Sequence, residues 1–208
     1  MHGSLDLLAA RLEDHGAAVD RLHLRELDIG DCLGCFRCFK TGRCVLADGM
    51  SGVYDVLRHA DGLVIGCPVR NESVPALYKR FLERITFPLG FGTDLEGTYV
   101  LSLVSVGLGG GRRETARLLG LGGFGAYHVE HLYFRLGIPS RVTPAAVEPR
   151  LVDALDRLEA RIRSGWKPAR PLRIARTLPR VLLRRYISLR NPELFDRHER
   201  RCDEPPGS

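Results

Sequence analysis

Ala60-Asp61-Gly62-Leu63-Val64-Ile65-Gly66-Cys67-Pro68 decides how this chain folds. After Asp61 the run Gly62 to Gly66 is apolar without alternation, which marks a strand covered on both faces, and Pro68 stops it. A second such run, Thr98 to Val106 (TYVLSLVSV), ends in Gly107-Leu108-Gly109-Gly110-Gly111. Between them residues 73–86 (SVPALYKRFLERIT) predict a helix, with Ser73 as cap and Pro75 in its first turn. Another helix begins near Arg112. Apolar strands alternating with helices imply an α/β fold, an open parallel sheet with helices on both faces. In such sheets ligands bind beyond the carboxyl ends of the strands. The loops at those ends are Pro68–Ser73 and Gly107–Arg113.

Outward from this centre, residues 4–15 (SLDLLAARLEDH) predict a helix capped by Ser4, with Leu5, Leu8 and Leu12 at helical spacing. Residues 18–25 (AVDRLHLR) alternate like a strand, and Met50 to His59 reads as a short helix. Residues 121–137 carry several glycines and histidines and give no clear period. Val142 to Val147 suggests a last short strand, and Glu148 to Ser164 an amphipathic helix. These residues make one unit, 1–166.

The remainder, 167–208, differs in character. Lys167 to Ser208 holds 11 Lys and Arg against 5 Asp and Glu, whereas residues 1–166 hold 20 of each. The whole surplus of +6 therefore lies in the tail, so a nucleic-acid argument from charge applies there alone, and no specific nucleic-acid partner is expected. Leu172, Leu178, Val181, Leu182, Tyr186 and Leu189 give the tail an apolar stripe interrupted at Pro179. A basic amphipathic helix suits a membrane surface or an acidic partner, while an arm packed on its own domain or a sister subunit explains it as well. No apolar run approaches the ~20 residues that cross a bilayer, and no secretory signal is visible, so a cytoplasmic protein is expected.

Cys32, Cys35, Cys38 and Cys44 follow the spacing C-x2-C-x2-C-x5-C. In a reducing compartment such cysteines bind metal rather than form disulfides. Thiolates favour iron–sulfur clusters, zinc and copper(I), and compact C-x2-C-x2-C runs with one further cysteine hold many clusters. Zinc sites more often use two separated ligand pairs. Phe36 and Phe39 would keep water from a cluster, and Arg37, Lys40 and Arg43 would raise its potential. A cluster is the leading reading, ahead of thiols that bind no metal and of zinc. Cys67 and Cys202 lack spacing partners and read as structural or incidental. His128 and His131, beside Glu130, would share a helical face, but two histidines without a third ligand are more often ordinary residues.

Three segments together resemble a family. They are Cys32-Leu33-Gly34-Cys35-Phe36-Arg37-Cys38 through Cys44 to Leu46-Ala47-Asp48-Gly49-Met50; Ala60 to Val74 followed by Lys79-Arg80-Phe81-Leu82-Glu83-Arg84; and Gly109-Gly110-Gly111-Arg112-Arg113-Glu114-Thr115. Over about residues 3–160 the chain resembles the flavodoxin-like NAD(P)H-dependent FMN reductases, and within them the iron–sulfur flavoproteins. The resemblance implies FMN held by three loops at the carboxyl edge of the sheet, and a four-iron (4Fe-4S) cluster on the cysteines. It implies electron transfer from NADPH, NADH or a ferredoxin-like donor to a small-molecule acceptor, in a homodimer or tetramer.

The cofactor-binding residues expected on this basis are Pro68, Val69, Arg70, Asn71 and Ser73 in one loop and Gly109, Gly110, Gly111 and Arg113 in another. The phosphate would lie near Ser4, where free helix N–H groups favour an anion. No catalytic side chain is required, because the flavin carries the hydride or electron chemistry. The alternatives are a cluster-free NAD(P)H:flavin or quinone reductase and a non-enzymatic redox sensor or electron-transfer module. Two departures from the family stand out. The apolar strand and phosphate loop that usually precede the first helix are reduced to Gly3 and Ser4, so the true start is expected upstream, or FMN binding to be poor. Arg70 stands where an aromatic residue often faces the flavin.

Overall fold

The computed structural model describes residues 2–35, 37–38, 43–86, 89, 94–137 and 144–168. Three parallel strands, β1 (Gly62–Pro68), β2 (Tyr99–Val106) and β3 (Tyr127–Arg135), pair in the order β1-β2-β3. Among the described residues the α-helices that flank them are α1 (His2–Asp14), α2 (Met50–His59), α3 (Ala76–Ile85), α4 (Arg112–Leu119) and α5 (Pro144–Ser164). β2 is the central strand, and its side chains alternate between two cores. Val100 and Val104 join α2 and α3 on one face, through Met50, Val53, Leu57, Phe81 and Ile85. Tyr99, Leu101 and Leu103 join α1 and α5 on the other, through Leu8, Leu151, Leu155 and Leu158. Helices thus cover both faces, as the unbroken apolar run requires.

β1 lies at an edge, because β2 is its single partner among the described residues. It is half-buried along most of its length, where β2 is buried almost throughout, so the two apolar runs are not equivalent. Backbone groups on a free strand edge need other partners.

Several boundaries differ from the sequence expectation. Residues 18–25 form no strand: alternation cannot make one without a neighbour to complete the ladder. Residues 144–147 open α5 instead of closing a strand, because Pro144 suits a first helical position and Ala145 and Ala146 are strong helix formers; residues 142–143 lie outside the described residues. Ser73 does not cap α3. The residue before a proline is driven to extended backbone, so the helix waits for Pro75, which is its N-cap. α1 begins at His2, which places Ser4 inside its first turn rather than at the cap. His128 and His131 lie on β3, not on a helix. The basic tail falls outside the described residues beyond Pro168.

Candidate functional site

β1 ends in a tight turn. Val69 N–H continues the ladder to Ser105 O at 2.8 Å, and Arg70 and Ser73 then exchange N–H···O bonds of 2.9 and 3.0 Å. Asn71 and Glu72, between them, both have positive φ (45° and 62°). That is the conformation of a two-residue hairpin turn; Asn tolerates it readily, while Glu does so at a cost. The N–H groups of Arg70 and Ser73 are spent on each other. Asn71 and Glu72 are exposed and make no hydrogen bond among the described residues, which leaves their N–H groups and the Asn71 amide unpaired within the chain.

The glycine loop after β2 meets this turn. A Cβ on Gly111 would lie 2.5 Å from Glu72 O and 2.9 Å from Val69 Cγ1. Gly110 and Gly111 also hold φ of 87° and 70°. Glycine is thus required twice over, by close approach and by conformation. Tyr133 Oη donates to Gly110 O at 2.7 Å, and Thr115 Oγ1 to Gly111 O at 2.7 Å, so β3 and α4 hold the loop from below. Beside it lies an open groove of about 490 Å³, lined by Gly110, Gly111, Arg113, Tyr133 and Arg135 among others. Its volume falls in the ~300–1,000 Å³ range of small-molecule sites.

The structure therefore brings together Val69, Arg70, Asn71 and Ser73 in one turn and Gly110, Gly111 and Arg113 along one groove, with Pro68 at the end of β1 and Gly109 against Arg135. Ser4 does not line the groove. It sits one residue from Leu5, which packs towards Gly66 and Leu103 on the α1 face of the sheet. Glu72, Arg112, Glu114, Tyr133 and Arg135 line the groove without having been singled out from sequence. Tyr133 and Arg135 belong to the segment that lacked a readable period, so nothing placed them at a strand's carboxyl end.

Cys32, Cys35, Cys38 and Cys44 line a second, small apolar pocket together with Leu33, Val45 and Leu46. Cys32 and Cys35 are exposed, Cys38 and Cys44 half-buried. Four soft sulfur donors around one apolar hollow fit a cluster in kind. Among the described residues, however, no three ligating side chains converge on one point. Phe36, Phe39 and Lys40 lie outside the described residues.

Both ends of this cysteine loop are tied to α3. Arg84 Nη2 donates to Asp48 Oδ1 at 2.9 Å, Arg84 Nη1 donates to Asp48 Oδ2 and, at 2.8 Å, to Gly30 O, and Gly30 N–H returns a bond to Asp48 at 2.9 Å. Met50 N–H adds a fourth contact to Asp48 at 3.1 Å. One turn earlier on α3, Arg80 holds Ile29 O at 3.2 Å and pairs with Asp31 at 2.6 Å. The Arg84 side chain is 1% exposed and that of Asp48 10%. Arg84's hydrogen bonds hold the Asp48 carboxyl below its usual pKa, against the upward push of burial. Asp48, Arg80 and Arg84 fall in segments that drew notice from sequence, but their meeting did not. The one available signal was a basic residue at position 84 on the buried face of α3, beside Phe81 and Ile85.

Cys67, at the end of β1, is buried, and burial pushes its thiol up to about 12; it is an inert core group rather than a nucleophile. Among the described residues no helix is long and apolar enough to cross a membrane.

The family model described as NADPH-dependent FMN reductase matches residues 3–138. An iron–sulfur flavoprotein of Archaeoglobus fulgidus is 33% identical over 100 residues, covering 48% of this chain and 45% of the relative. Another from Methanocaldococcus jannaschii is 28% identical over 106 residues, covering 50% and 54%. The chain thus spans about half the length of these relatives. Among solved structures, an NADH:FMN oxidoreductase in its apo form superposes with a TM-score of 0.53 at 20% identity, over 82% of each chain. A flavone reductase superposes with a TM-score of 0.57 at 14% identity, over 79% of this chain and 58% of the other. These two likenesses establish the flavodoxin-like fold.

Proposed function

We propose that this chain, which belongs to the NADPH-dependent FMN reductase family, is an FMN-dependent oxidoreductase of the iron–sulfur flavoprotein kind. The observation that carries the reading is the junction of the two loops at the carboxyl ends of β1 and β2. Gly111 packs on Glu72 too closely for any side chain, and a groove of cofactor size opens beside it.

In this reading the free N–H groups of Asn71 and Glu72 and the Asn71 amide hold the polar edge of the flavin ring, with Pro68, Val69 and Ser73 shaping the turn. Gly109, Gly110 and Gly111 let the backbone approach the flat ring. Arg70 and Arg113 offer guanidinium planes for stacking or for neutralising a reduced, anionic ring. The phosphate would lie outside the groove itself, at the free N–H groups in the first turn of α1 near Ser4. Bound FMN would supply hydride and single-electron transfer.

Cys32, Cys35, Cys38 and Cys44 would hold a 4Fe-4S cluster, with Arg84 and Asp48 keeping the two ends of their loop in place. Electrons would arrive from NADPH, NADH or a ferredoxin-like donor and leave to a small-molecule acceptor. A cytoplasmic homodimer or tetramer, with the basic tail on a membrane surface, an acidic partner or a sister subunit, completes the proposal.

Purification without air tests it. Flavin and iron together, with broad cluster absorbance over the flavin bands, support the whole reading. Yellow protein free of iron would leave the flavin site standing and remove the cluster. Colourless protein that takes up neither FMN nor iron would refute both.

A further inference from the structure

A buried polar chain under the glycine loop takes no part in the chemistry proposed above. Ser102, at the middle of β2, is fully buried, and its Oγ lies 2.8 Å from His128 Nε2 and 2.8 Å from His131 Nδ1. The other ring nitrogen of His131, Nε2, lies 3.4 Å from Thr115 Oγ1, and that hydroxyl is 2.7 Å from Gly111 O. We infer that Ser102, His131 and Thr115 form a one-way hydrogen-bond chain that holds the Gly111 carbonyl, and so act as positioning residues for the groove.

The direction follows from proton counting. A carbonyl oxygen only accepts, and a hydroxyl has one proton to give. Thr115 gives its proton to Gly111 O; the alternative acceptor, Arg112 O at 3.2 Å, is also a carbonyl. Thr115 therefore can only accept from His131, and His131 must carry its proton on Nε2. The Nδ1 of a neutral His131 is then bare and takes the Ser102 proton. Glu130 O also lies within reach of that proton, at 3.4 Å against 2.8 Å for His131 Nδ1; the Thr115–His131 contact, likewise 3.4 Å, is the longest link of the chain. With its proton spent, Ser102 accepts from His128, whose Nε2 is thereby protonated too. One terminal carbonyl thus sets both tautomers.

The surroundings agree. Burial, then the neighbouring His128 and Arg112, push the His131 pKa down to about 4, so its ring is neutral at pH 7. Gly120 makes room for the pair, since a Cβ there would lie 2.7 Å from His128 Nδ1. A register shift between β2 and β3 at Val100/Leu101 lets His128 and His131, three apart, both reach Ser102.

The effect on FMN rests on the flavin reading of the groove, whereas the tautomers do not, so the two fail separately. Long-range proton–nitrogen NMR on protein labelled with 15N in histidine should show His131 with a bare Nδ1 and a protonated Nε2 at pH 7. A proton on Nδ1, or a cationic ring, overturns the inference. Thr115→Val, which loses the hydroxyl but keeps the shape, should weaken FMN binding about three- to tenfold, the worth of one hydrogen bond. Thr115→Ser, which keeps the hydroxyl, should restore it. Equal FMN affinity in wild type, Thr115→Val and Thr115→Ser overturns the positioning role. Wild type that binds no FMN but shows the expected tautomers would leave the chain intact and refute the flavin reading instead.

Discussion

Replacing Arg84 by methionine tests whether the cysteine loop is clamped to α3. Methionine fills much of the same volume but removes the bonds to both Asp48 oxygens and to Gly30 O. Asp48 would keep the N–H groups of Gly30 and Met50 and lose its cation. Removing one partner of a buried ion pair costs ~3–5 kcal/mol. Because the Asp48 side chain retains 10% exposure, about 3 kcal/mol is expected at pH 7. That is a large part of the ~5–15 kcal/mol that holds a domain together. Urea unfolding followed by circular dichroism measures it. The double variant Arg84→Met/Asp48→Asn, which no longer strands a carboxylate, should recover at least about 1 kcal/mol of the loss. The pH dependence has a definite sign. The folded pKa of Asp48 is lowered, from an unfolded value of about 3.9. Its contribution is therefore fully present above about pH 4 and fades as pH falls through the lower folded value. The gap between wild type and Arg84→Met should be widest at neutral pH and narrow in acid. A loss below about 1 kcal/mol at pH 7, or a double variant no more stable than the single, would refute the clamp.

Gly111→Val should abolish FMN binding and lower stability by about 1–3 kcal/mol, because its Cβ would meet Glu72 O at 2.5 Å and the backbone is left-handed; flavin fluorescence titration and thermal melting measure the two effects. Cys44→Ser should reduce iron retained after anaerobic reconstitution while flavin content stays near wild type, as read by iron and flavin analysis of one sample. Thiol labelling of metal-free protein at pH 8 should modify Cys32 and Cys35 first and leave Cys67 untouched until denaturant is added, since the Cys67 thiol is buried and titrates near 12; mass spectrometry of peptides after timed quenching reports the order. Tyr133→Phe should loosen the glycine loop and weaken FMN binding by less than about tenfold, because it removes the one bond to Gly110 O and keeps the ring.

The legible parts of the fold share one property: their signal is local. The unbroken apolar runs of β1 and β2, the amphipathic periods of α2 and α3, and the glycine run after β2 state their own conformation within a dozen residues. β3 stayed hidden because its pattern carries a register shift and histidines at positions 128 and 131 that satisfy each other through Ser102 rather than through water. Residues 18–25 misled for the opposite reason, since a correct alternation makes no strand without a neighbour to pair with.

By itself, then, the order of amino acids determined a parallel α/β sheet, the two loops at its carboxyl edge and four sulfurs in one short loop, because spacing and periodicity are properties of neighbours in the chain. Only the tertiary structure decided which distant groups meet: Arg84 with Asp48 and Gly30, Gly111 with Glu72, and Ser102 with two histidines and, through His131, Thr115. Those contacts join residues up to 54 apart in sequence, and ion pairing, close backbone approach and proton direction exist only once folding has set their distances.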